Sequence, residues 1–137
     1  MRRVVLDTNV FVSSFSGGVP REIIDLWKTG EITICLSQEI VEEYLEVLSR
    51  LGLKNQKEFE NLTRLFAEGY NFVYTASIPH LEIVLDDPDD NKFLECAVAL
   101  NCKTIVSGDR HLKDVRKYID IEIQSPREFI DCYHTTE

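Results

Sequence analysis

Three apolar residues, Val4, Val5 and Leu6, run straight into the polar trio Asp7-Thr8-Asn9. The run is too short for a helix and is β-branched and aliphatic, so it predicts a buried strand that stops at an acid. Open α/β sheets bind ligands just beyond the carboxyl ends of their strands. Asp7 is therefore the first candidate catalytic residue. Asp also caps helices, and for this residue taken alone that reading stays open beside the functional one.

The pattern of short apolar run, breaker and amphipathic stretch then repeats. Gly17-Gly18 and Pro20 break the chain before Ile23, Ile24 and Trp27, whose spacing predicts a first helix from about Pro20 to Thr29, closed by Gly30. Ile32 to Leu36 reads as a second strand. Ser37 follows it in position to cap a helix whose apolar stripe is Ile40, Val41, Tyr44, Leu45 and Leu48, with Glu39, Glu42 and Glu46 outside the stripe and Glu43 on its flank. Phe59, Leu62, Leu65 and Phe66 predict a helix within Asn55 to Gly69, and Phe72-Val73-Tyr74 a third strand. Ile78-Pro79 opens a loop. The acidic segment Asp86-Asp87-Pro88-Asp89-Asp90-Asn91 leads into a helix carrying Phe93, Leu94, Ala97, Val98 and Leu100, and acids suit the start of a helix. Lys103 to Ser107 is a buried strand, and Gly108-Asp109 again sets an acid at a strand's end. Leu112, Val115 and Tyr118 suggest a short helix, Ile119 to Ile123 a last strand, and Ser125-Pro126 a cap with a proline at the first position of a final helix through Phe129-Ile130. Strands alternating with helices over short connections require a mainly parallel sheet with right-handed crossovers. The fold class is α/β, and 137 residues suit a single domain spanning 1–137.

Charge bears on the partner. With 24 acids against 15 bases the formal charge is −9, which opposes nucleic-acid binding by bulk electrostatics. A nuclease whose site is built of carboxylates remains compatible, because bound divalent cations invert the local sign. The N-terminal stretch is neither a signal peptide nor a membrane span, so the expected compartment is the cytoplasm, with no membrane partner. Cys35, Cys96, Cys102 and Cys132 lack metal or redox spacing and read as reduced thiols. His80, His111 and His134 share no spacing and read as surface residues, while Phe11, Phe15 and Trp27 read as core.

Asp7 and Asp109 each follow a strand, Asp90 stands at a helix start, and Glu43 lies on the helix after the second strand. Carboxylates about 4 Å apart repel by roughly 4 kcal/mol at an effective dielectric near 20, so their convergence demands compensation. No Lys or Arg adjoins Asp7 in sequence and no His is placed as a soft-metal ligand would be. Hard Mg²⁺ or Mn²⁺ is the natural counter-charge, and such ions activate water for phosphodiester cleavage. The bases after Asp109, namely Arg110, Lys113, Arg116 and Lys117, form either a solvated helix face or a wall for phosphates, with Arg110 and Lys113 the candidate phosphate contacts.

The set Asp7-Thr8-Asn9, Glu43 within Glu42-Glu43-Tyr44-Leu45-Glu46-Val47-Leu48, Asp90, and Ser107-Gly108-Asp109 resembles the PIN-domain family. Within it the likeness is to the VapC-like ribonuclease toxins of type II toxin–antitoxin modules. The resemblance runs from Val4 to Ile130 and includes Ser125-Pro126-Arg127-Glu128-Phe129. It implies a three-layer α/β/α fold and Mg²⁺- or Mn²⁺-dependent cleavage of single-stranded RNA. It also implies a homodimer and an inhibitory antitoxin partner. The family's acidic quartet falls on Asp7, Glu43, Asp90 and Asp109, with support positions at Thr8, Asn9 and Ser107; the metal is expected on Asp7, Asp90 and Asp109. Asp89 is the rival of Asp90, which stands seven residues before Ala97 as the family pattern has it. Where many relatives have Arg-Pro-Lys after the second helix this chain has Arg50-Leu51-Gly52, and where they have an Arg it has Asp86. Both differences leave the acids intact and remove basic groups.

Two other classes compete. A phosphatase-type phosphotransfer domain would need an acid two residues after Asp7, where Asn9 stands, and a receiver domain would need adjacent acids near the first strand and a Lys after the last. A catalytically idle PIN fold serving as an interaction module is the third reading, opposed by the presence of all four acids.

Overall fold

A computed structural model describes residues 2–76 and 90–136 of the chain. Ile78-Pro79, His80 and the acids Asp86, Asp87 and Asp89 lie outside the described residues. The strands are β1 (Arg2–Leu6), β2 (Ile32–Ser37), β3 (Phe72–Thr75), β4 (Thr104–Val106), β5 (Lys117–Tyr118) and β6 (Ile121–Gln124). They form one sheet in the order β3-β2-β1-β4-β6-β5. β1 is central, parallel to β2 on one side and to β4 on the other. Val4, Val5 and Leu6 are fully buried, as a strand covered on both faces requires. Helices flank the sheet, which gives the expected α/β architecture with a mainly parallel sheet.

The helices are α1 (Thr8–Ser13), α2 (Gly18–Lys28), α3 (Gln38–Arg50), α4 (Lys57–Ala67), α5 (Asn91–Ala99), α6 (Arg110–Val115) and α7 (Pro126–Thr136). Helix α2 buries Ile23, Ile24 and Trp27, and the Trp27 indole N–H donates to the Asn71 carbonyl at 3.0 Å. Ser37 caps α3 by accepting from the Ile40 amide at 3.3 Å. Before α7, Ser125 Oγ accepts from the Glu128 amide at 3.1 Å while Glu128 Oε1 accepts from the Ser125 amide at 2.8 Å. That reciprocal capping box goes further than the simple cap expected. Phe11, Phe15 and Trp27 are core, as are Cys35, Cys96 and Cys102, while Cys132 is exposed.

Four expectations need correction, and residues 8–13 form a helix, α1, that no expectation covers. Tyr118, expected in a short helix with Leu112 and Val115, lies in β5 instead. The expected strand from Ile119 to Ile123 is a hairpin, β5 pairing antiparallel with β6 across a turn in which Ile119 has φ 57°. Leu45, placed in the apolar stripe of α3, is 44% exposed, and Val47 is buried in its stead. Val98 is likewise exposed, because α5 turns its other faces inward.

Candidate active site

Parallel pairing sets the carboxyl ends of β1 and β4 side by side, with Leu6 opposite Val106 in register. The residues just beyond those ends, Asp7 and Ser107, therefore meet. The Ser107 hydroxyl donates to Asp7 Oδ2, and Ser107 Oγ in turn accepts from the Asp109 amide at 2.9 Å. One buried hydroxyl thus joins the two strand-end acids. Asp7 Oδ1 accepts from the Val10 amide at 2.8 Å, so this residue does cap α1. Capping and the functional reading coexist: the cap fixes the carboxylate that faces the cleft. Asp109 plays a parallel part for α6, its Oδ1 accepting from the Leu112 amide at 3.3 Å.

Tyr44 of α3 locks the strand end from below. Its hydroxyl donates to the Leu6 carbonyl, and its ring stacks on Phe11 at 4.1 Å. Burial, then the nearby Asp7 carboxylate, pushes its phenol well above the ordinary range, so the group serves as a fixed donor.

Asp7, Glu43, Asp90 and Asp109 all line one cleft of about 180 Å³, with Thr8 and Asn9 at its edge. The structure thereby sets the four acids along one cleft. Thr8 is buried and donates to Glu43 Oε2; Asn9 is exposed. Asp90 stands immediately before α5 with its Oδ2 buried. Burial raises the Asp7 carboxyl above its usual range, and repulsion from Asp109 and Glu43 adds to the rise against the hydrogen bonds of Ser107 and Val10. The cleft is electrostatically loaded toward a cation.

Two bases that the sequence reading did not assign to the site belong to it. Lys92, 6% exposed, sets its Nζ 2.6 Å from Glu43 Oε1, and Arg50 lines the cleft from the end of α3. The signal for Lys92 was its place two residues after Asp90, one step inside the same helix. Beside the acids, Gly108, Arg110, Lys113 and Arg116 line a second, larger cleft of about 730 Å³. Lys113 is tied there to Glu128 at 2.9 Å.

All four carboxylates are hard oxygen donors, which suits Mg²⁺ or Mn²⁺ and not a soft metal. Among the described residues no three His, Cys, Asp or Glu side chains are already gathered to hold an ion. Asp7 accepts from Ser107 and Val10, and Glu43 from Thr8 and Lys92. The donor chemistry fits a hard divalent cation.

The PIN-domain family profile matches residues 3–111, a span that holds every acid of the cleft. The chain belongs to the PIN-domain family. Among solved structures it is similar to a chain in the crystal structure of VapBC2 from Rickettsia felis bound to a DNA fragment from their promoter. That similarity has 15% identity and a TM-score of 0.54, and covers 90% of this chain and 98% of that one, so it is a likeness of fold. No curated protein matches the chain. Among the described residues no helix is long and apolar enough to cross a membrane.

Proposed function

We propose that the chain is a divalent-metal-dependent endoribonuclease that cuts single-stranded RNA, and that it is the toxin of a toxin–antitoxin module. The observation that carries this reading is the convergence of Asp7, Glu43, Asp90 and Asp109 on one cleft beyond the central strands. Asp7, Asp90 and Asp109 would hold Mg²⁺ or Mn²⁺, which when bound would supply activation of water and stabilisation of the leaving oxygen. The chain's own groups do the rest. Ser107 and the Val10 amide orient the Asp7 carboxylate, and the cap of α6 orients Asp109. Arg50 at the cleft, and Arg110 with Lys113 in a second cleft that Asp114, Glu122 and Glu128 also line, offer phosphate contacts. A cleft of about 180 Å³ suits a phosphate and its sugar from a strand whose bases can splay outward, as single strands permit.

The toxin role is supported by family membership and by the likeness of fold to VapBC2. An antitoxin would find an apolar face in a groove of about 420 Å³ lined by Phe11, Leu45, Phe59, Phe66 and Tyr74, where Leu45 and Tyr74 are substantially exposed. Incubation of the purified protein with single-stranded RNA and Mn²⁺, with and without excess EDTA, tests the activity. Cleavage that disappears on chelation is expected, and equal cleavage in EDTA would show the metal-dependent mechanism to be wrong.

A further inference from the structure

We infer that Lys92 is the built-in counter-ion of Glu43 and that the pair keeps Glu43 out of the metal's ligand shell, so that the cleft takes one divalent cation on its three aspartates. This rests on the metal-dependent reading of the cleft and specifies how its four acids divide their work.

Lys92 is the second residue of α5 and is almost wholly buried. Lysine is seldom buried without a partner, because its ammonium loses hydration that only a close anion can replace. Glu43 Oε1 supplies that anion at 2.6 Å, and the Phe93 ring lies 5.6 Å from the same Nζ. The other Glu43 oxygen accepts from Thr8. Both oxygens of Glu43 are therefore engaged, one of them by a full positive charge. A metal ion on Glu43 would have to displace that ammonium or sit beside it, and two cations on one carboxylate repel.

Asp7 differs in kind. Its hydrogen-bond donors are a hydroxyl and a backbone amide, which are neutral and steer a carboxylate without opposing a cation. Ligand carboxylates are commonly held in this way by neutral outer groups. The contrast sets a glutamate neutralised by a buried ammonium apart from an aspartate held by neutral donors. Lys92 is then a positioning residue, which acts through Glu43 and through the charge it sets beside that carboxylate.

Mn²⁺ binding to the full chain, without RNA, is the test, with number and affinity read from the electron paramagnetic resonance of free Mn²⁺. Wild type is expected to bind one ion per chain and Asp7→Asn to lose it. Lys92→Met frees Glu43 and should admit a second ion or tighten the first by about tenfold, whereas Lys92→Arg should stay close to wild type. The double variant Lys92→Met/Glu43→Gln exchanges the ion pair for neutral groups and should again bind one ion, with an affinity within about threefold of wild type. It also serves if Lys92→Met alone fails to fold. A loss of about tenfold or more in the double variant would make Glu43 a ligand and overturn the inference. Two ions in wild type, or an unchanged number and affinity in Lys92→Met, would overturn it equally. Each of these failures leaves wild-type Mn²⁺ binding in place; absence of binding in wild type would instead sink the metal-dependent reading together with the inference.

Discussion

The Ser107 hydroxyl donates to Asp7 across the junction of two parallel strands, one hundred residues apart in the chain. Because the same oxygen accepts from the Asp109 amide, its removal loosens both strand-end acids at once. Ser107→Ala should lower Mn²⁺-dependent RNA cleavage by about 10- to 100-fold, as loss of an outer-shell partner does. The stability cost should be about 1–2 kcal/mol. Parallel denaturant melts and cleavage rates check this; full activity in the variant would remove the serine from the site's support.

Asp7 both caps a helix and faces the cleft, and two substitutions pull these roles apart. Asn caps as well as Asp does, so Asp7→Asn should leave the metal-free protein as stable or more so, while Asp7→Ala should cost about 1 kcal/mol. Cleavage should fall by orders of magnitude in both. Thermal melts beside the nuclease assay decide the matter, and an Asp7→Asn protein that is clearly destabilised yet cuts at the wild-type rate would leave only the cap.

The same acid makes stability depend on pH. Its carboxyl is raised above the ordinary 3.8 by burial, with repulsion from Asp109 and Glu43 adding to it. A carboxyl that holds its proton more tightly in the native state contributes stability fully below its unfolded value, and that contribution is lost as pH rises through the raised value. In EDTA, the melting temperature of wild type minus that of Asp7→Asn should fall as pH climbs from 3.8. A flat or rising difference would contradict the assignment.

Glu128 works in the opposite direction. Its carboxyl is held down at about 2 by the Ser125 amide, then by Lys113 and the Ser125 hydroxyl. A depressed carboxyl contributes stability above its unfolded value, 4.5, and loses it as pH falls through about 2. The group is exposed, so Glu128→Gln should cost under about 1 kcal/mol at neutral pH. The difference from wild type should vanish in melts taken toward pH 2.

Tyr44 holds the last carbonyl of the central strand. Tyr44→Phe keeps the stack on Phe11 and deletes the hydrogen bond to Leu6, for a cost of about 1 kcal/mol. Cleavage should drop less than about tenfold, because the ring still fixes the strand end. A greater loss of rate than of stability would give the phenol a direct part in the chemistry.

Much of this architecture was legible because strand ends and acids are local signals. Val4 to Leu6, Ile32 to Leu36 and Lys103 to Ser107 each announce a buried strand, and parallel pairing then carries Asp7 to Asp109 without further information. What escaped depended on the third dimension. Helix α1 spans only residues 8–13, carries β-branched Val10 and Val12, and has as its cap the residue already claimed by the chemistry. The turn between β5 and β6 places Ile119, a β-branched residue, at φ 57°, where Gly or Asn would have signalled a reversal. Leu45 keeps the helical spacing of a core residue yet lines an open groove. Lys92 carries no expectation from the sequence, since nothing near it there reveals that Glu43, in another helix, will be present to receive it.

The pairing of β4 with β6 reaches beyond the sheet's shape. Ser107 is fixed on its far side by a hydrogen bond from its amide to the Gln124 carbonyl at 2.8 Å, so the matched span of residues 3–111 does not carry its own retaining wall. The chemistry is contained in the first four-fifths of the chain, but its alignment is underwritten by the last fifth. A nick at the exposed turn around Ile119 would spare every acid and still let the clamp on Ser107 slacken. A hairpin that contributes no reactive group thus bears on the alignment of the groups that do.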